Sequence, residues 1–153
     1  MNDAKMIRCM YLLPVLFIIA RSDYKSKIIP NRYLIVLVVN RLIFLNIESV
    51  LNQTGWNSQL TSSLAGFVLG GGLFLLCYLV AYGRIGAGDV KLFAILGFWV
   101  GSEEIVKVIF CTLVYAAFYN VFRILKKEIN LKQEIPLGQY AFLGIITSMI
   151  LNI

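Results

Sequence analysis

Long apolar runs alternate with short polar or glycine-rich breaks along the whole chain. Six runs can be separated: Met6–Ala20, Pro30–Ile47, Leu60–Tyr82, Gly86–Val100, Ile105–Leu125 and Leu137–Ile153. About 20 helical residues cross a hydrocarbon core about 30 Å thick, and most of the runs approach that length. Because a bilayer offers no water to backbone groups, each run is predicted to form a helix that is hydrogen-bonded within itself.

Composition indicates that lipid is the solvent of these helices. Apolar residues make up 59% of the 153 residues and charged residues 14%, against about 45 to 50% and about a quarter in soluble domains. A soluble domain of this size keeps about a third of its surface exposed, so one core would not hide that much apolar surface. We predict an all-α, polytopic membrane protein, a six-transmembrane-helix bundle forming a single domain over residues 1–153.

The basic residues indicate an orientation, because cytoplasmic loops carry the excess of lysine and arginine. If the connection after the first run is cytoplasmic, that side receives ten of the 14 basic residues: Arg21, Lys25, Lys27, Arg32, Arg84, Lys91, Arg123, Lys126, Lys127 and Lys132. The other side keeps Lys5, Arg8, Arg41 and Lys107. This predicts a multi-pass protein of the inner (plasma) membrane with both termini outside.

Arg41 and four glycines stand out within the apolar runs. A charge in mid-membrane costs about 2.5 to 3.5 kcal/mol on insertion scales. We therefore expect Arg41 either to snorkel outward or to face a polar interior. Two small-x-x-x-small pairs, Gly66 with Gly70 and Gly97 with Gly101, are expected to let helix backbones approach closely.

The chemistry open to this chain is restricted by what it lacks. It contains no histidine, which excludes Ser-His, Cys-His and His-metal sites. Its three cysteines are far apart, without Cys-x-x-Cys spacing. We predict no metal and no cofactor, and the membrane setting gives no reason to expect a nucleic-acid partner. Catalysis would rest on carboxylates, lysines, hydroxyls or thiols.

Two of the eight acidic residues adjoin predicted helix ends on the cytoplasmic side. Asp23 follows the first run and Asp89 opens the fourth, and the two crossings between them return the chain to the same face. Two facing carboxylates in a low-dielectric site share a proton, so that their pKa values split. Such a pair meets the requirement of aspartyl proteolysis: the ionised member activates water and the protonated member donates to the peptide carbonyl.

The residues around these aspartates suit such a site. Gly86 and Gly88 would let a substrate backbone lie close and can adopt positive φ. Lys91 would point away from Asp89 on a helix, so we assign it an anchoring role at the membrane interface.

A proline and an asparagine follow Asp23. Pro30 fits the first turn of the second helix, where a missing N–H has no consequence. Asn31 would brace the Asp23 loop by hydrogen bonding.

Structural explanations for both acids stay open. Asp89 ahead of an apolar helix is also a good N-cap, with the glycines as an ordinary turn. Asp23 among lysines is also typical of a solvated loop charge.

Three motifs resemble those of the prepilin peptidase family. They are Asp23 followed by Ile29-Pro30-Asn31, then Gly86-Ala87-Gly88-Asp89-Val90-Lys91-Leu92, and Ile135-Pro136-Leu137-Gly138 opening the last run. The family consists of intramembrane aspartyl proteases with a Gly-x-Gly-Asp signature. The resemblance implies cleavage of the short basic leader of type IV pilin-like precursors at the cytoplasmic face, after a glycine and before the apolar pilin helix. It also implies that Asp23 and Asp89 are catalytic.

One departure from the larger members of that family bears on activity. Bifunctional members carry paired Cys-x-x-Cys motifs in a cytoplasmic region associated with N-methylation, whereas the connection after the first run here is short and has no cysteine. The chain resembles the peptidase-only form, and methyltransferase activity is not predicted.

Other functions remain as alternatives. In a non-catalytic membrane scaffold, or a small transporter subunit of a pilus or secretion assembly, the acids would be helix caps or part of an ion path. An ion path wants charges in mid-membrane, where the sequence supplies only Arg41. A degenerate family member acting as an assembly factor is a third possibility. The expected partners are a prepilin-like substrate and membrane lipid, and the sequence does not define an oligomeric state.

Overall fold

Six helices make up the part of the chain that the structure, a computed structural model, describes: residues 3–26, 28–52, 55–80, 86–126 and 137–151. They are α1 (Asp3–Ser26), α2 (Asn31–Asn52), α3 (Trp56–Val80), α4 (Ala87–Val100), α5 (Ser102–Leu125) and α6 (Gly138–Leu151). The predicted all-α, six-helix architecture is confirmed. The expected ends of the third and sixth runs, Tyr82 and Ile153, lie outside the described residues.

The first helix is longer than its apolar run. It continues past Ala20 to Ser26, so that Asp23 lies within the helix rather than in a loop. Ser26 Oγ donates to the carbonyl of Ser22 at 2.8 Å. The positive charge of Lys25, in the last turn, interacts favourably with the negative end of the helix dipole.

The outer surface of the bundle is apolar. Helices α2, α3 and α5 are long and apolar enough to cross a membrane, over Asn31–Val50, Trp56–Val80 and Ser102–Arg123. Of the other helices, α1 has 24 residues, and α4 and α6 have 14 each. Large apolar side chains point away from the bundle, among them Val80 and Phe118, each 78% exposed. The molecule is therefore a helical membrane protein whose outer side chains suit lipid.

Helix α4 occupies the centre of the bundle. All residues from Leu92 to Val100 are buried, as is typical of a helix surrounded on every side. Helix α3 packs against it most extensively, and α2 and α5 also contact it. The Phe74 ring of α3 stacks on the Phe93 ring of α4, with the centroids 3.8 Å apart. The position of α4 therefore depends on its neighbours from Leu92 to Val100.

Glycines bring the backbones of α3 and α4 into direct contact. A Cβ added at Gly66 would overlap the carbonyl oxygen of Gly97, and one added at Gly97 would overlap that of Gly66. Gly101, at φ 90°, ends α4 and donates its N–H to the Gly97 carbonyl at 2.9 Å. A Cβ at Gly70 would overlap the carbonyl of Phe93. The expected role of both glycine pairs in helix packing is confirmed.

A buried ionic cluster joins four helices at the end of the bundle where α4 terminates. Arg41, 2% exposed, binds Glu48 Oε2 through Nη1 at 3.0 Å and donates to Ser63 Oγ at 2.9 Å. Its Nε donates to the carbonyl of Phe98 at 3.1 Å. Arg8 Nη1 lies 3.5 Å from Glu48 Oε1. Of the two expectations for Arg41, the polar interior is confirmed and outward snorkelling is wrong.

Alanine at Gly97 is expected to destabilise the bundle by about 1 to 3 kcal/mol, because its methyl group would force the backbones of α3 and α4 apart. The measurement is thermal unfolding in detergent. Gly72→Ala is the matched control, since a Cβ there has nothing within 4 Å and alanine is the better helix former. Equal stability of Gly97→Ala and Gly72→Ala would contradict this description of the α3–α4 contact.

Glu48→Gln is expected to lower stability by about 3 to 5 kcal/mol, because it removes the carboxylate from between two buried arginines. Chemical denaturation in detergent measures the change. Glu103→Gln, on the exposed surface of α5, removes the same charge outside the cluster and is expected to have no measurable effect. Similar unfolding of Glu48→Gln and the wild type would show that the cluster does not stabilise the fold.

Candidate active site

The end of α1 and the beginnings of α2, α4 and α6 meet at one end of the bundle. Asp23 of α1 contacts Gly138, the first residue of α6. Ile29, just before α2, contacts Gly88 of α4. The segments that the sequence analysis assigned to one membrane face therefore lie together.

Asp23 is buried, although it lies beyond the apolar run of α1. Asp23 is only 4% exposed. Its Oδ2 accepts a hydrogen bond from the backbone N–H of Gly138 at 2.8 Å. That N–H is one of the groups left without a partner at a helix start, and it lies at the positive end of the α6 dipole. Burial raises the pKa of Asp23 above its ordinary value, and the Gly138 hydrogen bond opposes part of the rise. The alternative of a solvated loop charge is therefore wrong.

Asp89 is also buried, at 7% exposure. It lies in the first turn of α4, which begins at Ala87. The capping residue is Gly86, which makes no side-chain cap hydrogen bond, and Asp89 donates its backbone N–H to the Gly86 carbonyl at 3.0 Å. The alternative interpretation of Asp89 as the N-cap is therefore wrong.

The glycines of the Asp89 motif have different surroundings. A Cβ at Gly86 would lie 3.2 Å from Asp89 Oδ2, so Gly86 leaves the space beside that carboxylate open. A Cβ at Gly88 would lie 3.4 Å from Ile29 Cβ, which places Gly88 against the α1–α2 connection. Gly86 has φ −67°, and the positive-φ glycine among the described residues is Gly101. The ability of the motif glycines to adopt positive φ is therefore not used in this structure.

The start of α2 is tied to α4 by a polar contact. Pro30 immediately precedes α2, and its carbonyl accepts the N–H of Tyr33 at 3.2 Å. The side chain of Lys91 donates from Nζ to Asn31 Oδ1 at 3.4 Å. Asn31 therefore bonds to α4. The sequence analysis expected Asn31 to brace the segment around Asp23 instead. Lys91 is exposed and reaches toward the first residue of α2.

Gly138 is the site residue that the sequence analysis did not single out. Its N–H contacts a carboxylate 115 positions away in the sequence. A Cβ on Gly138 would lie 2.8 Å from Asp23 Oδ2 and 3.1 Å from Asp23 Cβ, so glycine is what allows α6 to start there. The signal in the sequence was the motif that ends at Gly138; its Ile135 and Pro136 lie outside the described residues.

The fold and the site define a helical membrane protein with two buried aspartates at one end of the bundle. Residues 10–121 match the type IV leader peptidase family. The match covers well over half of the chain, and the chain belongs to this family.

A curated relative is consistent with that assignment. The chain is 30% identical over 126 residues to the prepilin leader peptidase/N-methyltransferase of Bacillus subtilis (strain 168). The aligned region is 81% of this chain and 47% of the relative, so the chain spans about half the length of that protein. No solved structure matches the chain.

Gly138→Ala is expected to lower peptidase kcat by about tenfold to a hundredfold, because its methyl group would displace the Asp23 carboxylate from the position that its hydrogen bond sets. The measurement is steady-state cleavage by purified enzyme, with KM little changed. Gly55→Ala is the matched control, since a Cβ at Gly55 has nothing within 4 Å. Wild-type kcat in Gly138→Ala would contradict a role for this contact in positioning Asp23.

Proposed function

We propose that this protein is an intramembrane aspartyl endopeptidase that removes the short basic leader from type IV pilin-like precursors. Asp23 and Asp89 are its catalytic residues. The observation that carries the proposal is the burial of both aspartates at the same end of the bundle, in a chain of the type IV leader peptidase family. Burial disfavours the charged form of a carboxyl group, and carboxyl groups with shifted pKa values are frequent at functional sites.

The two carboxylates have different surroundings, and these surroundings support different roles. Burial favours the protonated form of Asp23, which suits a proton donor to the carbonyl oxygen of the scissile peptide bond. Asp89 lies in the first turn of α4, where the helix dipole stabilises a negative charge. It is therefore the proposed base that takes a proton from the attacking water.

The reaction would proceed by direct attack of water. As Asp89 accepts a proton, the water oxygen bonds to the carbonyl carbon and the carbonyl oxygen receives the proton of Asp23, giving a neutral gem-diol. Asp89 then gives its proton to the amide nitrogen, and the C–N bond breaks. A diol proton returns to Asp23 as the new carboxyl group forms. Both aspartates end in the protonation states in which they began.

The other motif residues would hold this site together. Gly86 leaves room beside Asp89, and Gly88 lets Ile29 pack against the first turn of α4. Pro30 fixes the start of α2, and the Lys91–Asn31 contact joins α2 to α4 beside the site. With the positive-inside orientation, the site faces the cytoplasm, and both chain termini lie on the outer side of the inner (plasma) membrane.

Asp23→Asn and Asp89→Asn are each expected to reduce cleavage of a cognate precursor by about 10²- to 10⁴-fold, because amides cannot exchange the protons that the reaction needs. The assay follows leader removal by purified protein in detergent or vesicles. Glu103→Gln, an exposed acid of α5, is the control and should cleave normally. Retained cleavage by either aspartate variant, with the protein still folded and membrane-inserted, would refute the proposed mechanism.

A further inference from the structure

The first turn of α6 is held on two sides. On the α1 side, Gly138 donates its backbone N–H to Asp23 Oδ2 at 2.8 Å. On the α5 side, the buried ring of Tyr140 packs against the ring of Tyr119, with the centroids 5.9 Å apart. The hydroxyl oxygen of Tyr140 accepts a hydrogen bond from the side-chain amide of Asn120. Only two positions separate Gly138 from Tyr140, so both contacts act on one turn of helix.

Asn120 is a buried polar side chain of α5 that bonds to two helices. It is 8% exposed, and its Nδ2 donates to the carbonyl of Ala116 on α5 at 2.6 Å. An amide nitrogen carries two N–H groups, so the same side chain can also serve Tyr140 on α6. The buried hydroxyls of Thr112 and Ser148, by contrast, bond to carbonyls of their own helices. The Asn120–Tyr140 contact is therefore a buried polar link from α5 to the start of α6.

The packing of α6 on α5 has other supports than this link. A Cβ on Gly144 would lie 2.9 Å from a carbonyl oxygen of α5, so the two backbones already approach closely further along α6. The hydroxyls of Tyr115 and Thr147 also join the two helices, at 2.8 Å. Polar groups inside membrane helices are costly and are usually kept for function. What the buried link adds is a fixed position for the first turn of α6.

We propose that Tyr140 and Asn120 are positioning residues, whose contact sets where the first turn of α6 places the Gly138 N–H and so orients the carboxyl group of Asp23. This inference rests on the proposed function. The donor to Asp23 is a backbone group, so its direction follows from the position of the turn that carries it. Tyr140 and Asn120 act through Gly138 and not on the substrate.

The first test removes one hydroxyl. Tyr140→Phe keeps the ring and is expected to lower kcat by about threefold to tenfold, with KM little changed, because the Gly138 donor shifts away from Asp23. Losing a hydrogen bond to the charged form raises the pKa of Asp23. The alkaline limb of the kcat profile, where the donor Asp23 loses its proton, therefore moves to higher pH. Arg123, a charged group near Tyr140, is unchanged in this variant.

The matched control is Tyr115→Phe. It removes a tyrosine hydroxyl from the other polar contact between α5 and α6, away from Gly138, and should keep the kcat and pH profile of the wild type. Asn120→Leu removes the link from the α5 side and should shift the profile as Tyr140→Phe does. Tyr140→Phe combined with Gly138→Ala should have the kcat of Gly138→Ala alone, because both changes act on the same hydrogen bond.

An unshifted pH profile in folded Tyr140→Phe and Asn120→Leu proteins would overturn the inference, even if kcat falls. Additive losses of kcat in the double variant with Gly138→Ala would overturn it as well. The proposed function fails by a different result, which is retained cleavage by Asp23→Asn. If Asp23→Asn is inactive and the profile of Tyr140→Phe matches that of Tyr115→Phe, the positioning role alone is refuted.

Discussion

The close backbone contact between α3 and α4 is the constraint on which the rest of the structure depends. In lipid there is no hydrophobic force to bring helices together, so association relies on packing and on polar contacts. Gly66 and Gly97 allow that packing at one end of α4, and Gly70 allows it nearer the middle. Because α4 is buried on every side, its position fixes where its first turn, with Asp89, meets the other helices.

Polar groups buried at the two ends of the bundle have different consequences. At one end, Glu48 is bound by two arginines, and Arg41 also satisfies the carbonyl of Phe98 near the end of α4. These contacts pair opposite charges and hold helices together. At the other end, Asp23 accepts a hydrogen bond from the backbone N–H of Gly138, and its burial raises the pKa of its carboxyl group. The first arrangement suits stability and the second suits chemistry.

Much of the fold could be predicted from the sequence, because bilayer thickness dictates the length of apolar runs and glycine spacing marks close helix contacts. The pairing of Arg41 with Glu48 also has a signal in the sequence, since a spacing of seven positions places both residues on one face of α2. The contact of Asp23 with Gly138 could not be predicted from apolar run lengths or residue spacing. It joins segments 115 positions apart, and the packing of α1 against α6 that creates it has no periodic signal.

The central claim is that Asp23 and Asp89 act on the same peptide bond. The most direct measurement uses a double variant with cysteine at both positions and serine at the three native cysteines, treated with a short bifunctional thiol reagent while precursor is bound. If the carboxylates share one water, the two cysteines should be bridged within one molecule. Labelling of each cysteine by a monofunctional reagent, without any bridge in the presence of bound precursor, would contradict the claim.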